Sequence, residues 1–138
     1  MSRLMSVAFT EQAVRERRKT VTRRKGWWED KNGRRLVKPG DHLTLCHKVM
    51  GRKKGEPLVR IAEVEVVSVR REPLTDLYGT VPGGPNLYGH KEMEREGFPG
   101  EDPWIFVHRY FEQEQGIDEH TVVTRIEWRY LDDQKGER

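Results

Sequence analysis

The stretch best suited to chemistry is a run of six residues, Lys19-Thr20-Val21-Thr22-Arg23-Arg24, in which cations and hydroxyls surround one apolar side chain. Ammonium and guanidinium groups bind anions and carbonyl oxygens, and a threonine hydroxyl becomes a nucleophile when a nearby base takes its proton. The run therefore predicts a site that holds an anionic ligand. The simpler alternative is a solvated helix end, because Arg17 and Arg18 suit the C-terminal dipole of a helix.

A short helix is predicted to precede this run. Thr10 suits the N-cap, and Glu11 lies in the first turn, where the helix dipole favours an acidic residue. Phe9 and Val14 are spaced to pack against each other across the cap. The helix would therefore fix the direction in which the chain enters this run.

The run itself is predicted to be extended, because its β-branched residues favour a strand. Alternate side chains of a strand point to opposite faces. One face would carry Thr20, Thr22 and Arg24, and the other Lys19, Val21 and Arg23. An irregular turn off the helix would instead bring Lys19 beside Thr22, and the sequence leaves both arrangements open.

Further basic and aromatic residues are candidates for contacts to a ligand or nucleic acid. Trp27 and Trp28 are adjacent and would point in opposite directions, which predicts one as a buried anchor and the other over a cleft. A base stacked on an exposed tryptophan would gain about 1–3 kcal/mol. The full set of candidate binding residues is Arg18, Lys19, Thr20, Thr22, Arg23, Arg24, Trp27, Trp28, Arg52, Lys53 and Lys54.

The net charge of +3 conceals a strong asymmetry along the chain. Residues 1–71 hold 19 basic against 8 acidic residues, a balance of +11, whereas residues 72–138 hold 7 against 15, a balance of −8. A positive first half that clusters in space would attract phosphate over a long range. Pairing between the two halves inside the fold would cancel part of this field.

The length of 138 residues predicts a single domain, which we place at 1–131 with a polar tail over 132–138. Cys46 is the one cysteine, which excludes a disulfide framework and a cysteine zinc site, and the five histidines lack the spacing of a metal-ligand set. We expect no metal and no cofactor. The lack of a signal sequence or a membrane-length apolar run predicts a soluble cytoplasmic protein with no membrane partner.

Strands are predicted over 42–49, 58–70 and 121–131. The first and last alternate, which predicts half-buried strands with Leu43 and Leu45 inward in one, and Ile126 inward with Arg125 outward in the other. In the middle strand the apolar register slips near Ala62, which predicts a bulge in a sheet that bends round a small barrel.

Between these strands the pattern predicts a mobile loop over 72–90, a helical turn over 91–96 ended by Gly97, and a helix over 103–116 capped by Asp102. The aromatic residues of that helix, with a stripe formed by Trp104, Val107 and Phe111, are expected to pack in the core. Together these elements predict an α+β fold. It would be a small, mostly antiparallel β-barrel of five to six strands, flanked by two to three helices.

Several of these elements, taken in order, resemble the ASCH family, which has a PUA-like fold. They are the basic threonine run, the turn Pro39-Gly40-Asp41, the element Glu96-Gly97-Phe98, the aromatic helix and a last strand that contains Trp128. The similarity extends from about Ser6 to Tyr130. It implies a pseudo-barrel with a cleft that accepts RNA or a modified nucleobase or nucleoside.

Some members of this family are amidohydrolases that remove an acyl group from the exocyclic nitrogen of a cytidine with a lysine, a threonine and a glutamate. The resemblance assigns those roles to Lys19, Thr22 and Glu96, with Arg24 as an anchor for an anion or a carbonyl group. The alternative for Glu96 is structural, as a helix-end carboxylate that pairs with Lys19 or Arg24 and holds a cleft together.

These observations favour an RNA-binding or modified-nucleotide-binding domain with a basic cleft. The alternative is an amidohydrolase that acts on N4-acetylcytidine-type nucleosides, and a ribonuclease ranks lower because the sequence offers no histidine pair. Homodimerisation through the oppositely charged halves is left open.

Overall fold

The computed structural model describes residues 3–79 and 87–131. Five strands form one mixed, curved sheet that makes a half-barrel, and three α-helices pack against it. The strands are Arg3–Ser6 (β1), Val21–Arg24 (β2), His42–Cys46 (β3), Arg60–Pro73 (β4) and Val122–Tyr130 (β5). The helices are Glu11–Arg15 (α1), Leu87–Glu96 (α2) and Pro103–Phe106 (α3), and α3 continues into a π-helical turn over Val107–Gln113. The predicted α+β class is confirmed, whereas the tail over 132–138 lies outside the described residues.

The strand order β1-β3-β4-β5-β2 places the two N-terminal strands at opposite edges of the sheet. β1 runs parallel to β3, and the other neighbouring pairs are antiparallel. The curvature brings the two edges together, because Nη2 of Arg24 in β2 donates a hydrogen bond to the carbonyl oxygen of Ser6 in β1 at 2.6 Å. A seam between β1 and β2 therefore closes one side of the half-barrel.

Apolar residues pack on both faces of the sheet. One cluster contains Met5, Leu43 and Trp128, and the other joins Val123 to Phe106 and Phe111. Because β5 contributes to both clusters, its two faces are covered. The prediction of a half-buried last strand with Arg125 outward is therefore wrong, and Arg125 is buried at 2% exposure.

The predicted bulge near Ala62 is confirmed. Leu45 pairs with Ala62 while its neighbour Cys46 pairs with Arg60, so Ile61 is skipped. A second register shift follows between Val66 and residue 68, where β4 pairs with β5. Bulges bend a strand and increase its twist, which accounts for a 14-residue strand in a sheet this small.

Three other predictions are corrected by the structure. The strand over 42–49 ends at Cys46 and is buried on both faces. The predicted loop over 72–90 instead contains the end of β4, a 3₁₀ turn over Leu74–Leu77 and the start of α2, while residues 80–86 lie outside the described residues. In the aromatic helix, which is π-helical over Val107–Gln113, Trp104 is 37% exposed and not packed in the core as predicted, whereas Phe111 is buried as predicted.

The short helix before the threonine run begins at Glu11, as predicted, but its cap differs. The Thr10 side chain makes no capping hydrogen bond, and a 3₁₀ turn over Ala8–Thr10 precedes the helix. The Phe9 side chain is 79% exposed, so it does not pack on the buried Val14. The prediction of a hydrophobic contact across the cap is wrong.

Candidate functional site

A cavity of about 230 Å³ opens at the seam between β1 and β2. It brings together the three residues that the family resemblance singles out, Lys19, Thr22 and Glu96. Its remaining lining comes from the end of β1 and the turn after it, from β2, and from the chain between residues 98 and 115: Ser6, Val7, Ala8, Phe9, Thr10, Arg23, Arg24, Phe98, Phe106, Tyr110, Phe111, Glu114 and Gln115.

β2 places Thr22 and Arg24 side by side. The alternation predicted for this run is confirmed for these two residues, because Nε of Arg24 donates a hydrogen bond to Oγ1 of Thr22 at 3.2 Å. The bonds to Thr22 and Ser6 use two of the five N–H groups of the guanidinium. Within residues 3–79 and 87–131, no carboxylate forms an ion pair with Arg24. Its remaining donors are therefore available to a ligand.

Lys19 lies in the turn between α1 and β2 and is buried at 2% exposure. Its Nζ donates to the backbone carbonyl oxygen of Glu96 at 2.7 Å and to Oε1 of the same residue at 3.0 Å. Burial lowers the pKa of Lys19 below its ordinary value, and the negative charge of Glu96 offsets part of that effect. The predicted pairing of Glu96 with Lys19 is confirmed.

Glu96 is held at the end of α2 by the residue that follows it. Gly97 has a φ of +99°, and a Cβ atom there would lie 2.9 Å from Cβ of Ala13, so a glycine is needed to end the helix this close to α1. The second carboxylate oxygen of Glu96 accepts from Nη1 of Arg23 at 2.9 Å. Lys19 and Arg23 are thus the cations that donate hydrogen bonds to it, whereas Arg24 interacts with its charge without a hydrogen bond.

Arg23 is the centre of a buried network of charges. Its guanidinium contacts the carboxylates of Glu72, Glu92 and Glu96 at 2.5–2.9 Å, and Glu92 also pairs with Arg125 at 2.7 Å. Together with Lys19, the network contains three buried cations and three buried carboxylates. It therefore fixes α2 against three strands without leaving a net buried charge.

The sequence did not single out Glu72, Glu92 or Arg125 as partners. Polar residues in an alternating strand or an amphipathic helix are ordinarily solvated. Ion pairing between the basic first half and the acidic second half of the chain is confirmed, because the partners of Lys19 and Arg23 come from the second half.

We expect the network to make the fold sensitive to acid. Burial alone would raise the pKa of Glu92, but its hydrogen bonds with Arg125 and the charge of Arg23 prevail and lower that pKa to about 2. A carboxyl group with a pKa near 4.5 when unfolded then contributes about 3 kcal/mol to stability above pH 4.5. That contribution is lost as the pH falls towards 2, with about 2 kcal/mol of it lost between pH 5 and pH 3.

Urea denaturation of the wild type and of Glu92→Gln at pH 5 and pH 3 measures this contribution. The variant is expected to be less stable at pH 5 and to lose less stability on acidification. Glu94→Gln, an exposed position on the same helix, provides the matched control. Equal pH dependence in Glu92→Gln and the wild type would contradict the assignment.

An aromatic wall formed by Phe98, Phe106, Tyr110 and Phe111 lines the same cavity as the charged residues. Phe98 packs on Tyr110 with ring centroids 4.6 Å apart and on Phe106 at 5.2 Å, and Phe106 packs edge-on against Phe111 at 5.6 Å. The prediction that these aromatics pack in the core is confirmed for Phe106 and Phe111. They line the cavity as well, which the sequence pattern did not indicate.

The sequence matches no protein-family model and no curated protein. Solved structures match it in fold. Protein EF3133 from Enterococcus faecalis V583, of family DUF984, superposes with a TM-score of 0.60 at 14% identity, over 95% of this chain and 80% of that chain. An ASCH domain from Lactobacillus crispatus JV V101 superposes with a TM-score of 0.51 at 14% identity, over 93% and 79%. The chain has an ASCH-like fold. Hypothetical protein PH0355 is also similar, with a TM-score of 0.54 at 15% identity, over 95% of this chain and all of that one.

In this ASCH-like fold, several candidate binding residues lie outside the cavity. Arg18 is exposed and pairs with Glu16, and the backbone N–H of Thr20 donates to the carbonyl of Arg95. The basic loop of Arg52, Lys53 and Lys54 is exposed and does not contribute to the cavity lining.

The two adjacent tryptophans also lie outside the cavity lining of the ASCH-like fold. Trp27 adopts a φ of +70° and packs against the apolar core, as the predicted anchor. The Trp28 ring is partly buried, and the guanidinium of Arg35 lies over it at 3.3 Å from the ring centroid. The prediction that one tryptophan lies over the cleft is not supported by this lining.

One group of metal-ligand residue types occurs elsewhere in the described part of the ASCH-like fold. Donor atoms of His108, Glu112 and Glu119 lie within 4.8 Å of one another. His108 Nδ1 is hydrogen-bonded to Glu112, and the hydroxyl of Tyr78 donates to Glu119. Among the described residues, the buried Nε2 of His108 has no hydrogen-bond partner and lies 3.6 Å from Oε1 of Glu119.

No helix in the described part of the chain has the length and apolar character needed to cross a membrane.

Proposed function

We propose that the cavity binds a single nucleobase or nucleoside, including a modified one, and that Arg24 is its polar anchor. The observation that carries this proposal is that the cavity lining combines the aromatic wall with Arg24, whose guanidinium has free donors and forms no ion pair with a carboxylate among the described residues. A planar ligand with carbonyl or anionic oxygens satisfies both surfaces.

The size of the cavity supports the same class of ligand. Pockets for drug-sized molecules enclose roughly 300–1,000 Å³, and this one encloses about 230 Å³. Its mixture of apolar aromatic surface and a few converging polar groups is typical of small-molecule sites. One base or nucleoside suits this space better than a stretch of polymer.

Isothermal titration calorimetry with a panel of nucleosides, including N4-acetylcytidine, tests this proposal. Arg24→Met is expected to weaken the binding of the best ligand about 10-fold to 100-fold, because a hydrogen bond to a charged group contributes about 1.5–3 kcal/mol. Arg52→Met, in the exposed loop, is the matched control and should bind as the wild type does. No binding by the wild type, or equal binding by Arg24→Met, would contradict the proposal.

A second candidate function, hydrolysis of the acyl amide of an acylated cytidine, is favoured by one feature of the same cavity. Lys19, whose pKa is lowered by burial, lines it together with the hydroxyl of Thr22. A lysine with a lowered pKa has a neutral fraction that can accept the hydroxyl proton. Chromatographic detection of cytidine released from N4-acetylcytidine tests this candidate.

The bonding changes of such a reaction assign each residue a role. Oγ1 of Thr22 would form a bond to the acyl carbon while the bond from that carbon to the cytidine nitrogen breaks. The hydroxyl proton would pass through Lys19 to the leaving amine, and water would then hydrolyse the threonine ester. Glu96 would act as a positioning residue for Lys19, because both of its carboxylate oxygens are held by cations.

A further inference from the structure

Beyond Arg24, the structure fixes two arginines around one tryptophan. The guanidinium of Arg35 lies 3.3 Å from the centroid of the Trp28 ring, and that of Arg71 lies 5.8 Å from it. Arg71 also donates to Oγ1 of Thr124 at 2.8 Å and to the carbonyl oxygen of Val122 at 3.1 Å. Both guanidinium groups are therefore held in place without a carboxylate.

The sheet connects these arginines to the cavity. Thr124 in β5 is the register partner of Arg24 in β2 on one side and of Arg71 in β4 on the other. Side chains of directly paired residues lie on the same face of a sheet, and neighbouring strands are about 4.8 Å apart. Arg24, Thr124 and Arg71 thus form one row across three strands that leads from the cavity to Trp28.

The surface around Trp28 carries an excess of positive charge. Among the residues that the structure describes, Lys25, Arg35 and Arg71 form no ion pair with a carboxylate, in contrast to Arg23. All three are exposed. Two acidic residues lie on the same segment. Glu29 is the bridge partner of Arg35, and the Asp30 carboxylate accepts backbone N–H groups of Asn32 and Arg34.

We infer that the basic patch of Lys25, Arg35 and Arg71 around Trp28, to which the row leads, binds the phosphate backbone of a single-stranded nucleic acid whose base enters the cavity. The inference rests on the proposed function and extends it from a nucleoside to a polynucleotide. Planar guanidinium groups bind phosphate in a bidentate manner, and stacking on an aromatic ring holds them ready to do so. The continuity of the row with Arg24 favours nucleic acid over an acidic protein.

The test compares a labelled eight-nucleotide single strand, as RNA and as DNA, with the free nucleoside found by calorimetry. Arg35→Met/Arg71→Met is expected to weaken oligonucleotide binding about tenfold at 50 mM salt. The slope of log affinity against log salt should become shallower by about 1.4, since each lost phosphate contact on a single strand removes about 0.7. Affinity for the free nucleoside should be unchanged.

Two controls test whether the effect comes from the position of the lost charges and whether it comes from a loss of stability. Lys91→Met/Arg109→Met removes the same charge from two exposed positions that are not candidate binding residues, and it should leave the oligonucleotide affinity close to that of the wild type. Arg35→Met alone keeps the hydrogen bonds of Arg71 to β5 and should show about half of the change in slope, so a folding defect in the double variant does not block the test.

Unchanged oligonucleotide affinity and slope in Arg35→Met/Arg71→Met would overturn the inference while nucleoside binding by the wild type still supports the proposed function. Equal binding of polyglutamate, lost in the same variant, would overturn it in favour of an acidic protein partner. A wild type that binds neither nucleoside nor oligonucleotide would overturn both.

Discussion

Arg23→Met is expected to lower the free energy of unfolding by about 3–5 kcal/mol, because removal of one partner leaves buried charges without compensation. The substitution would leave Glu72, Glu92 and Glu96 buried with too few cations, although the methionine fills much of the volume. A domain of this size has a total stability of about 5–15 kcal/mol. The variant would therefore retain only part of its stability.

Urea denaturation followed by circular dichroism measures this change. Arg18→Met is the matched control, because Arg18 forms an exposed, solvent-screened pair with Glu16 whose loss should change stability little. If Arg23→Met changes stability as little as the control, the network does not hold α2 to the sheet.

Thr22→Ala is expected to reduce the turnover of N4-acetylcytidine at least about 1,000-fold if the cavity is hydrolytic, because it removes the nucleophile. The affinity for the nucleoside should change far less, since Arg24 and the aromatic wall remain. Thr22→Ser keeps the hydroxyl and should retain substantial turnover. The measurement is kcat and KM by chromatography, with calorimetry for binding.

The contrast between binding and turnover distinguishes the two candidate functions. Turnover that persists in Thr22→Ala would exclude this threonine as the nucleophile. A wild type that binds the nucleoside without releasing cytidine would leave the cavity as a binding site alone. Arg52→Met, in a loop outside the cavity lining, controls for nonspecific effects of substitution.

The sequence predicted the local features of the site well. β-branched residues next to cations indicated a strand that presents Thr22 beside Arg24, and the glycine after Glu96 indicated the helix end that points this carboxylate towards β2. The register slip near Ala62 indicated a bulge. Each of these features depends on the backbone preferences of a few adjacent residues.

The features that the sequence did not predict depend on partners distant in the chain. Arg125 and Glu92 look like surface residues until the fold brings them together 33 positions apart. One of Trp27 and Trp28 was predicted to lie over the cleft as a stacking surface, but neither lines the cavity, and the Arg35 guanidinium lies over the Trp28 ring. The polarity pattern of a sequence indicates that a side chain can be solvated. It does not show which distant residue of opposite charge will pair with that side chain once both are buried.

The pairing of β2 has a consequence for the order in which the protein is assembled. In the described sheet β2 pairs with β5, so residues 21–24 cannot form their strand pairing until residues 124–127 are present. Contacts this far apart in sequence slow folding, because a long loop must close before they form. During synthesis on a ribosome the lysine–threonine–arginine run would thus emerge early and remain without its strand partner until about a hundred further residues had been added. The part of the cavity lining that β2 contributes therefore cannot take its place in the sheet until β5 has been synthesised.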